Sequence, residues 1–221
     1  MTTGSADSRL TLYGCPNTRS LRAAWALEEA GAAYDYVGVA LLKGEGRRPS
    51  YLRVNPGGKV PALRVGDTVL TESAAIVTWA GDRYPASGLT PPAGTLERAR
   101  HDQWCAFAIA ELEQPLWTIA KHRFALPKER RVPAVEETAV WEFGVACRVL
   151  AHGLGGGPYV FGERFDGADI LLAHTLAWAR SARVPVAPEA LVAYAERCLA
   201  RPAVARATQR EAAAAETAAD S

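Results

Sequence analysis

Between residues 85 and 94 the chain reads Pro-Ala-Ser-Gly-Leu-Thr-Pro-Pro-Ala-Gly. Proline fixes φ and has no backbone donor, so neither a helix interior nor a central strand runs through such a stretch. The texture of the sequence changes across it. Before it, short apolar runs alternate with helical periodicity; after it, strand-like runs stop. One uniform layer of secondary structure is therefore excluded. The chain has 221 residues, and at about 100–200 residues per domain it accommodates two small domains. We read them as 1–85, a mixed α/β part, and 94–221, an all-helical part.

The first part starts with a β-type run, Leu10 to Tyr13. Arg19 to Ala30 carries Leu21, Ala24, Trp25 and Leu27 or Glu28 at helical spacing, and Gly31 closes it. Tyr34 to Val39 reads as a second strand. Residues 40–58 are loop-like, with one short helix at Pro49–Arg53. Val60–Val65 and Thr68–Leu70 flank Gly66-Asp67, the spacing of a tight hairpin. Glu72 to Tyr84 is helical again. The order is β-α-β-(loop)-β-β-α: parallel pairing across the first crossover, antiparallel in the hairpin, with helices on a small mixed sheet. Beyond the Pro/Gly segment, helices are expected at roughly 95–121, 132–153, 168–182 and 188–199, the first kinked at Pro115. Asp166 opens the third as a cap, with Asp169 three residues on where Glu or Gln is usual. The tail from Glu211 has little to bury and is expected to fray.

Charge narrows the function. There are 25 basic and 24 acidic side chains, a net charge of +1, so no basic footprint for nucleic acid or an anionic membrane is present. No run approaches the ~18 apolar residues of a membrane span. The first residues lack a basic segment followed by an apolar one, which points to a cytoplasmic protein without a secretory signal. Cys15, Cys105, Cys147 and Cys198 are scattered, with neither a disulfide framework nor zinc spacing, and no metal is expected.

Three stretches carry chemistry. In Asn55-Pro-Gly-Gly-Lys-Val-Pro-Ala-Leu63, Pro61 begins a strand. Either it is an edge-strand proline after a turn, or a cis Val60–Pro61 bond turns the Val60 backbone outward to pair with an extended peptide. Glu72-Ser73 stands at a helix start, where orphan N–H groups and the helix dipole favour a carboxylate. Ser73 would hold that carboxylate and Glu72 a ligand ammonium group; a simple helix cap is the other reading. Cys15-Pro-Asn-Thr-Arg-Ser20 joins the first strand to the first helix. There Thr18 or Asn17 is placed to donate to a ligand thiolate, or Cys15, its pKa lowered by the helix N-terminus, is itself the nucleophile. Alternatively Thr18 or Ser20 only caps the helix.

Taken together these stretches resemble the cytosolic glutathione transferases, bacterial type. The resemblance rests on Leu12-Tyr-Gly with Thr18-Arg-Ser-Leu-Arg-Ala-Ala-Trp-Ala-Leu-Glu-Glu29, on Asn55–Leu63 with Thr71-Glu-Ser-Ala-Ala-Ile76, and on Gly162-Glu-Arg-Phe-Asp-Gly-Ala-Asp-Ile170. It spans nearly the whole chain and implies a thioredoxin-like domain followed by a helical one. It implies a glutathione S-transferase: a dimeric detoxification enzyme that activates the glutathione thiolate for attack on a small electrophile. The Val60 backbone beside Pro61 would meet the cysteinyl part of glutathione. Glu72 and Ser73 would take the γ-glutamyl end, Lys59 the glycyl carboxylate, and Thr18 the thiol.

Two departures stand out. Thr18 occupies a position where serine is more usual, and its β-methyl restricts the hydroxyl. Cys15-Pro16 resembles the start of a glutaredoxin or omega-type site, which would allow a mixed disulfide with glutathione and hence disulfide reduction. A non-catalytic binding protein on the same fold is the remaining alternative. The electrophile pocket is expected between the domains, with Trp104, Phe107, Glu111, Trp117 and His122 as candidates that equally suit a helical core or a helix end.

Overall fold

The computed structural model describes residues 9–219. The absence of a secretory segment was read mainly from positions outside these residues, as were the last two residues of the tail. The chain divides into two compact units, one running to Thr90 and taking up the chain again from Arg201, the other Pro91–Ala200.

In the first unit, β1 (Leu10–Gly14) alternates buried and half-buried side chains, the period-2 pattern of a pleated strand. Helix α1 (Ser20–Glu29) leads to β2 (Tyr34–Gly38), which lies parallel to β1. The loop that follows contains a one-turn helix, α2 (Pro49–Leu52), with Pro49 in its first turn. Strands β3 (Ala62–Val65) and β4 (Thr68–Thr71) form the predicted hairpin, and Gly66 supplies a positive φ of 57° in its two-residue turn. Helix α3 (Ser73–Arg83) ends the thioredoxin-like segment. The sheet order is β2-β1-β3-β4, with β3 antiparallel to both neighbours.

Helix α1 is buried nearly all round. Ala23, Ala24, Trp25, Ala26 and Leu27 are each 0% exposed, which one apolar stripe does not explain. The cause is a second covering layer: α3 packs against α1, and so does the C-terminal helix, whose other neighbour is β2.

That helix runs from Pro202 to Ala219, so the expectation of a fraying tail is corrected for the described residues. Ala203, Ala207 and Glu211 recur four apart and are buried. Two small side chains let the helix backbone come close to α1. Ion pairs then hold it in place. Arg201 grips Glu29 with two nitrogens at 2.5 and 2.8 Å. Glu28 accepts from Arg206 at 2.9 Å, Arg210 at 2.6 Å and Tyr34 at 3.1 Å. The helical domain drawn as 94–221 therefore gives up its last segment.

The second unit is helical: α4 (Leu96–Phe107), α5 (Gln114–Ala120), α6 (Val135–Leu154), α7 (Gly167–Ser181) and α8 (Glu189–Leu199); numbering on, the C-terminal helix of the first unit is α9. The long helix expected over 95–121 is interrupted rather than simply kinked. A π-helical stretch, Ala108–Glu113, separates α4 from α5, and Pro115 falls in the first turn of α5. The wider turn relieves the i→i−4 pairing that proline cannot complete. Helix α7 is the central element, packed by α4 and α8 and buried almost continuously from Gly167 to Leu176.

Its capping box forms as read. The Ala168 N–H donates to Asp166 and the Asp166 N–H to Asp169, both at 2.9 Å. Aspartate suffices at the third position because Asp169 also accepts from Val160 N–H at 3.1 Å and Tyr194 at 2.7 Å. Among the described residues no helix is long and apolar enough to cross a membrane, no group of three or more His, Cys, Asp or Glu could hold a metal ion, and no cysteine is in a disulfide.

Candidate active site

Strand register gathers the three chemical stretches of the first unit. Tyr13 pairs with Ala62 across β1 and β3, and Ala62 with Thr71 across β3 and β4. Both pairings are antiparallel. The residues just past β1, just before β3 and just past β4 therefore leave the sheet at the same end. These are Cys15 to Ser20, Lys59 to Pro61, and Glu72-Ser73.

The first of these is a closed hydrogen-bonded loop. The Thr18 hydroxyl donates to the Cys15 carbonyl at 2.6 Å and lies 2.7 Å from the Ser20 hydroxyl. Ser20 Oγ accepts from the Cys15 N–H at 2.9 Å and stands 2.8 Å from the Cys15 carbonyl. Asn17 is exposed and left-handed, with φ of 59°, a conformation asparagine tolerates better than most residues. Thr18 is half-buried.

Cys15 is corrected in one respect. Its thiol is pushed up, not down: burial comes first, a backbone contact with Leu41 offsets part of it, and the carboxylate of Glu211 adds to it. The helix N-terminus does not prevail over the loss of water.

At the second stretch the Val60–Pro61 bond is cis. Strand β3 starts only at Ala62, so Val60 lies outside the ladder. The preceding carbonyl, that of Lys59, is pinned by the Tyr51 hydroxyl and the Asn55 amide, each at 2.7 Å, while the Lys59 side chain is exposed. Gly58 has φ of 63°, and a Cβ there would lie 2.5 Å from the Gly46 carbonyl oxygen. Only glycine lets these two loop backbones meet and hold the Lys59–Val60 segment out.

At the third stretch Glu72 has φ of 67° and ψ of 118°, unusual for a side chain of its kind and worth on the order of 1–3 kcal/mol of strain. Its side chain is exposed. Ser73 opens α3 and is buried, and its hydroxyl accepts from Arg22 at 3.4 Å.

Arg22, Ser20, Tyr36, Tyr51, Asn55 and Glu211 escaped the sequence reading as site residues. Arg22 was detectable in principle, as an arginine one residue before the apolar run Ala23–Leu27. Glu211 was not, because nothing local ties it to Ser20, 191 positions away. It is 3% exposed and accepts from Tyr36 at 2.7 Å and from Ser20 at 3.1 Å.

In the helical unit, the electrophile candidates divide. Trp104 is buried and edge-on to Phe107 at 5.3 Å. Its indole lies against Gly153, where a Cβ would come within 2.2 Å, so Trp104 is core. Glu111 is exposed, Trp117 and His122 half-buried, and His122 accepts from the Val132 N–H at 3.0 Å.

Residues 8–81 match the family described as glutathione S-transferase, N-terminal domain. A glutathione S-transferase of Xanthomonas campestris, GST-4.5, is 34% identical over 167 residues, 75% of this chain and 81% of that protein. The crystal structure of a glutathione transferase from Methylococcus capsulatus superposes with a TM-score of 0.82 at 33% identity, covering 92% of this chain and 98% of that one. A sphingomonad glutathione S-transferase complexed with glutathione gives a TM-score of 0.77 at 32% identity, over 91% and 98% of the two chains. The chain belongs to the glutathione S-transferase family.

Proposed function

We propose that this protein binds glutathione at the end of the sheet where Cys15–Ser20, Val60 and Glu72-Ser73 converge, and that Thr18 stabilises its thiolate. The chain is a glutathione transferase by family, and the carrying observation is the register that brings the three segments to one sheet end. The Val60 backbone, outside the ladder, pairs with the cysteinyl residue. The N-terminus of α3 with Ser73 takes the γ-glutamyl carboxylate, and the carboxylate of Glu72 its ammonium group. Lys59 reaches the glycyl carboxylate from its exposed position.

With the peptide so held, its thiol lies at the Thr18 hydroxyl, with Asn17 beside it. Donation of a hydrogen bond to sulfur favours the thiolate over the thiol, whose proton passes to solvent. The thiolate then attacks the chlorine-bearing carbon of an electrophile such as a chloronitroaromatic, forming a carbon–sulfur bond as the carbon–chlorine bond breaks and chloride leaves to solvent. Within the second unit, Trp117 and His122 are more accessible than Trp104. A cytoplasmic homodimer serving detoxification fits the family and the absence of a membrane-spanning helix among the described residues. Cys15 as nucleophile is disfavoured by its raised thiol pKa.

The test is the pH dependence of kcat/KM for conjugation of a chloronitroaromatic electrophile. Thr18→Ala should raise the pH at which activity appears and lower turnover about 10-fold or more, while Thr18→Ser restores the wild-type profile. An unchanged profile in Thr18→Ala removes Thr18 from its role.

A further inference from the structure

Thr18 has one hydroxyl proton, and its oxygen lies 2.6 Å from the Cys15 carbonyl and 2.7 Å from the Ser20 hydroxyl. To serve a thiolate the proton must leave these partners, and the carbonyl then needs another donor. Ser20 Oγ is 2.8 Å from the same carbonyl and is the replacement. Ser20 also has one proton, and a second acceptor competes for it: Glu211 Oε1, 3.1 Å away on α9. Tyr36 donates to the same carboxylate oxygen at 2.7 Å, so Glu211 is never stripped of partners by the exchange.

Two arrangements of these protons follow. When Ser20 donates to Glu211, the Thr18 proton is engaged inward, on the Cys15 carbonyl or on the Ser20 oxygen. When Ser20 donates to the carbonyl, the Thr18 proton is released toward the ligand. We propose that Glu211 is a positioning residue for the thiol-activating loop, acting through the Ser20 hydroxyl to set which way the Thr18 proton points. This rests on the reading that Thr18 meets the glutathione thiol.

The carboxylate is held for this task. Arg201, Arg206 and Arg210 fasten α9 to Glu28 and Glu29, fixing the register that puts Glu211 over Ser20. From β2, Tyr36 and Tyr34 face it, and from the loop after β1 so does the Cys15 thiol. Asp35 of β2 pairs instead with Arg9. From α1 come Ser20 and, one helix end away, Glu28 between its arginines. Burial lifts the Glu211 carboxyl to about 7, so the neutral form, which pulls less on Ser20, is available near neutrality.

The experiment titrates the thiol of bound glutathione by thiolate ultraviolet absorbance in four full-length proteins: wild type, Thr18→Ala, Glu211→Gln and Glu211→Gln with Ser20→Ala. Thermal melts confirm that each is folded. Glutamine keeps the shape and the Tyr36 contact but has no charge to draw the Ser20 proton. Glu211→Gln should lower the pH midpoint of thiolate formation by roughly half to one pH unit, the worth of one hydrogen bond in a protonation equilibrium. In the Ser20→Ala background that shift should disappear, because the relay is gone. A shift that persists there is direct charge repulsion and overturns the positioning role. If Thr18→Ala raises the midpoint while Glu211→Gln leaves it at the wild-type value, the role of Glu211 fails and the Thr18 reading stands. If Thr18→Ala itself leaves the midpoint unmoved, both fall.

Discussion

Arg22, fully buried in α1, donates a hydrogen bond to the hydroxyl of Ser73 at the head of α3, 51 residues further along the chain. The contact ties the helix that follows the Cys15–Ser20 loop to the helix start that we propose takes the γ-glutamyl carboxylate. Two helix N-termini of the site are thereby linked through one side chain.

Removing that link should affect stability and ligand binding together. Arg22→Met keeps much of the side-chain volume but leaves Ser73 without this donor in a buried place. Unfolding free energy in urea should fall by about 2–4 kcal/mol. KM for glutathione should rise more than kcat falls, since the change acts on binding. Lysine should rescue poorly, lacking the planar fork of donors.

In the helical unit, Asp166 combines the cap of α7 with a 2.5 Å contact to the buried His101 ring. Asp166→Ala removes both, and the cost should reach roughly 3–5 kcal/mol, well above the ~1 kcal/mol of an exposed cap. Asp166→Asn, which keeps an oxygen for the Ala168 N–H, should lose less. Denaturation followed by tryptophan fluorescence measures both.

Cys15 gives a test by chemistry. Because burial and Glu211 push its thiol up, the thiolate fraction at pH 7 is smaller than in a free thiol and grows as the pH rises. Alkylation by iodoacetamide, followed by mass spectrometry, should be slower than for glutathione itself at pH 7. Cys15→Ala should retain most conjugating activity; loss of nearly all of it would restore Cys15 as the nucleophile.

Glu211 also leaves a mark on stability. Its carboxyl is raised from 4.5 to about 7, chiefly by burial, so the folded protein holds this proton more tightly than the unfolded chain. The resulting stabilisation is complete below the unfolded pKa, near 4.5, and is lost as the pH rises through about 7. Asp169, raised from 3.8 to about 6 by burial, acts with the same sign. In denaturation series between pH about 5 and 8, wild type should lose on the order of 2 kcal/mol relative to Glu211→Gln. A difference independent of pH would show that Glu211 does not titrate in this range.

Local chemistry made much of this protein legible in its sequence. The strands β1 to β4, the Gly66-Asp67 turn, the start of α3 and the Asp166 cap all follow from period, turn residues and capping groups within a few positions. The same local signals picked out Thr18, Val60, Pro61, Glu72 and Ser73, because each stands where a strand or helix begins or ends. Tertiary structure alone decided that α9 leaves the helical unit to cover α1, since its buried stripe of Ala203, Ala207 and Glu211 has almost no hydrophobic signal. It also decided the state of the thiol loop. A helix N-terminus read in isolation lowers a thiol's pKa, but the actual field at Cys15 includes the water excluded by packing and a carboxylate 196 positions away, neither of which a local pattern contains.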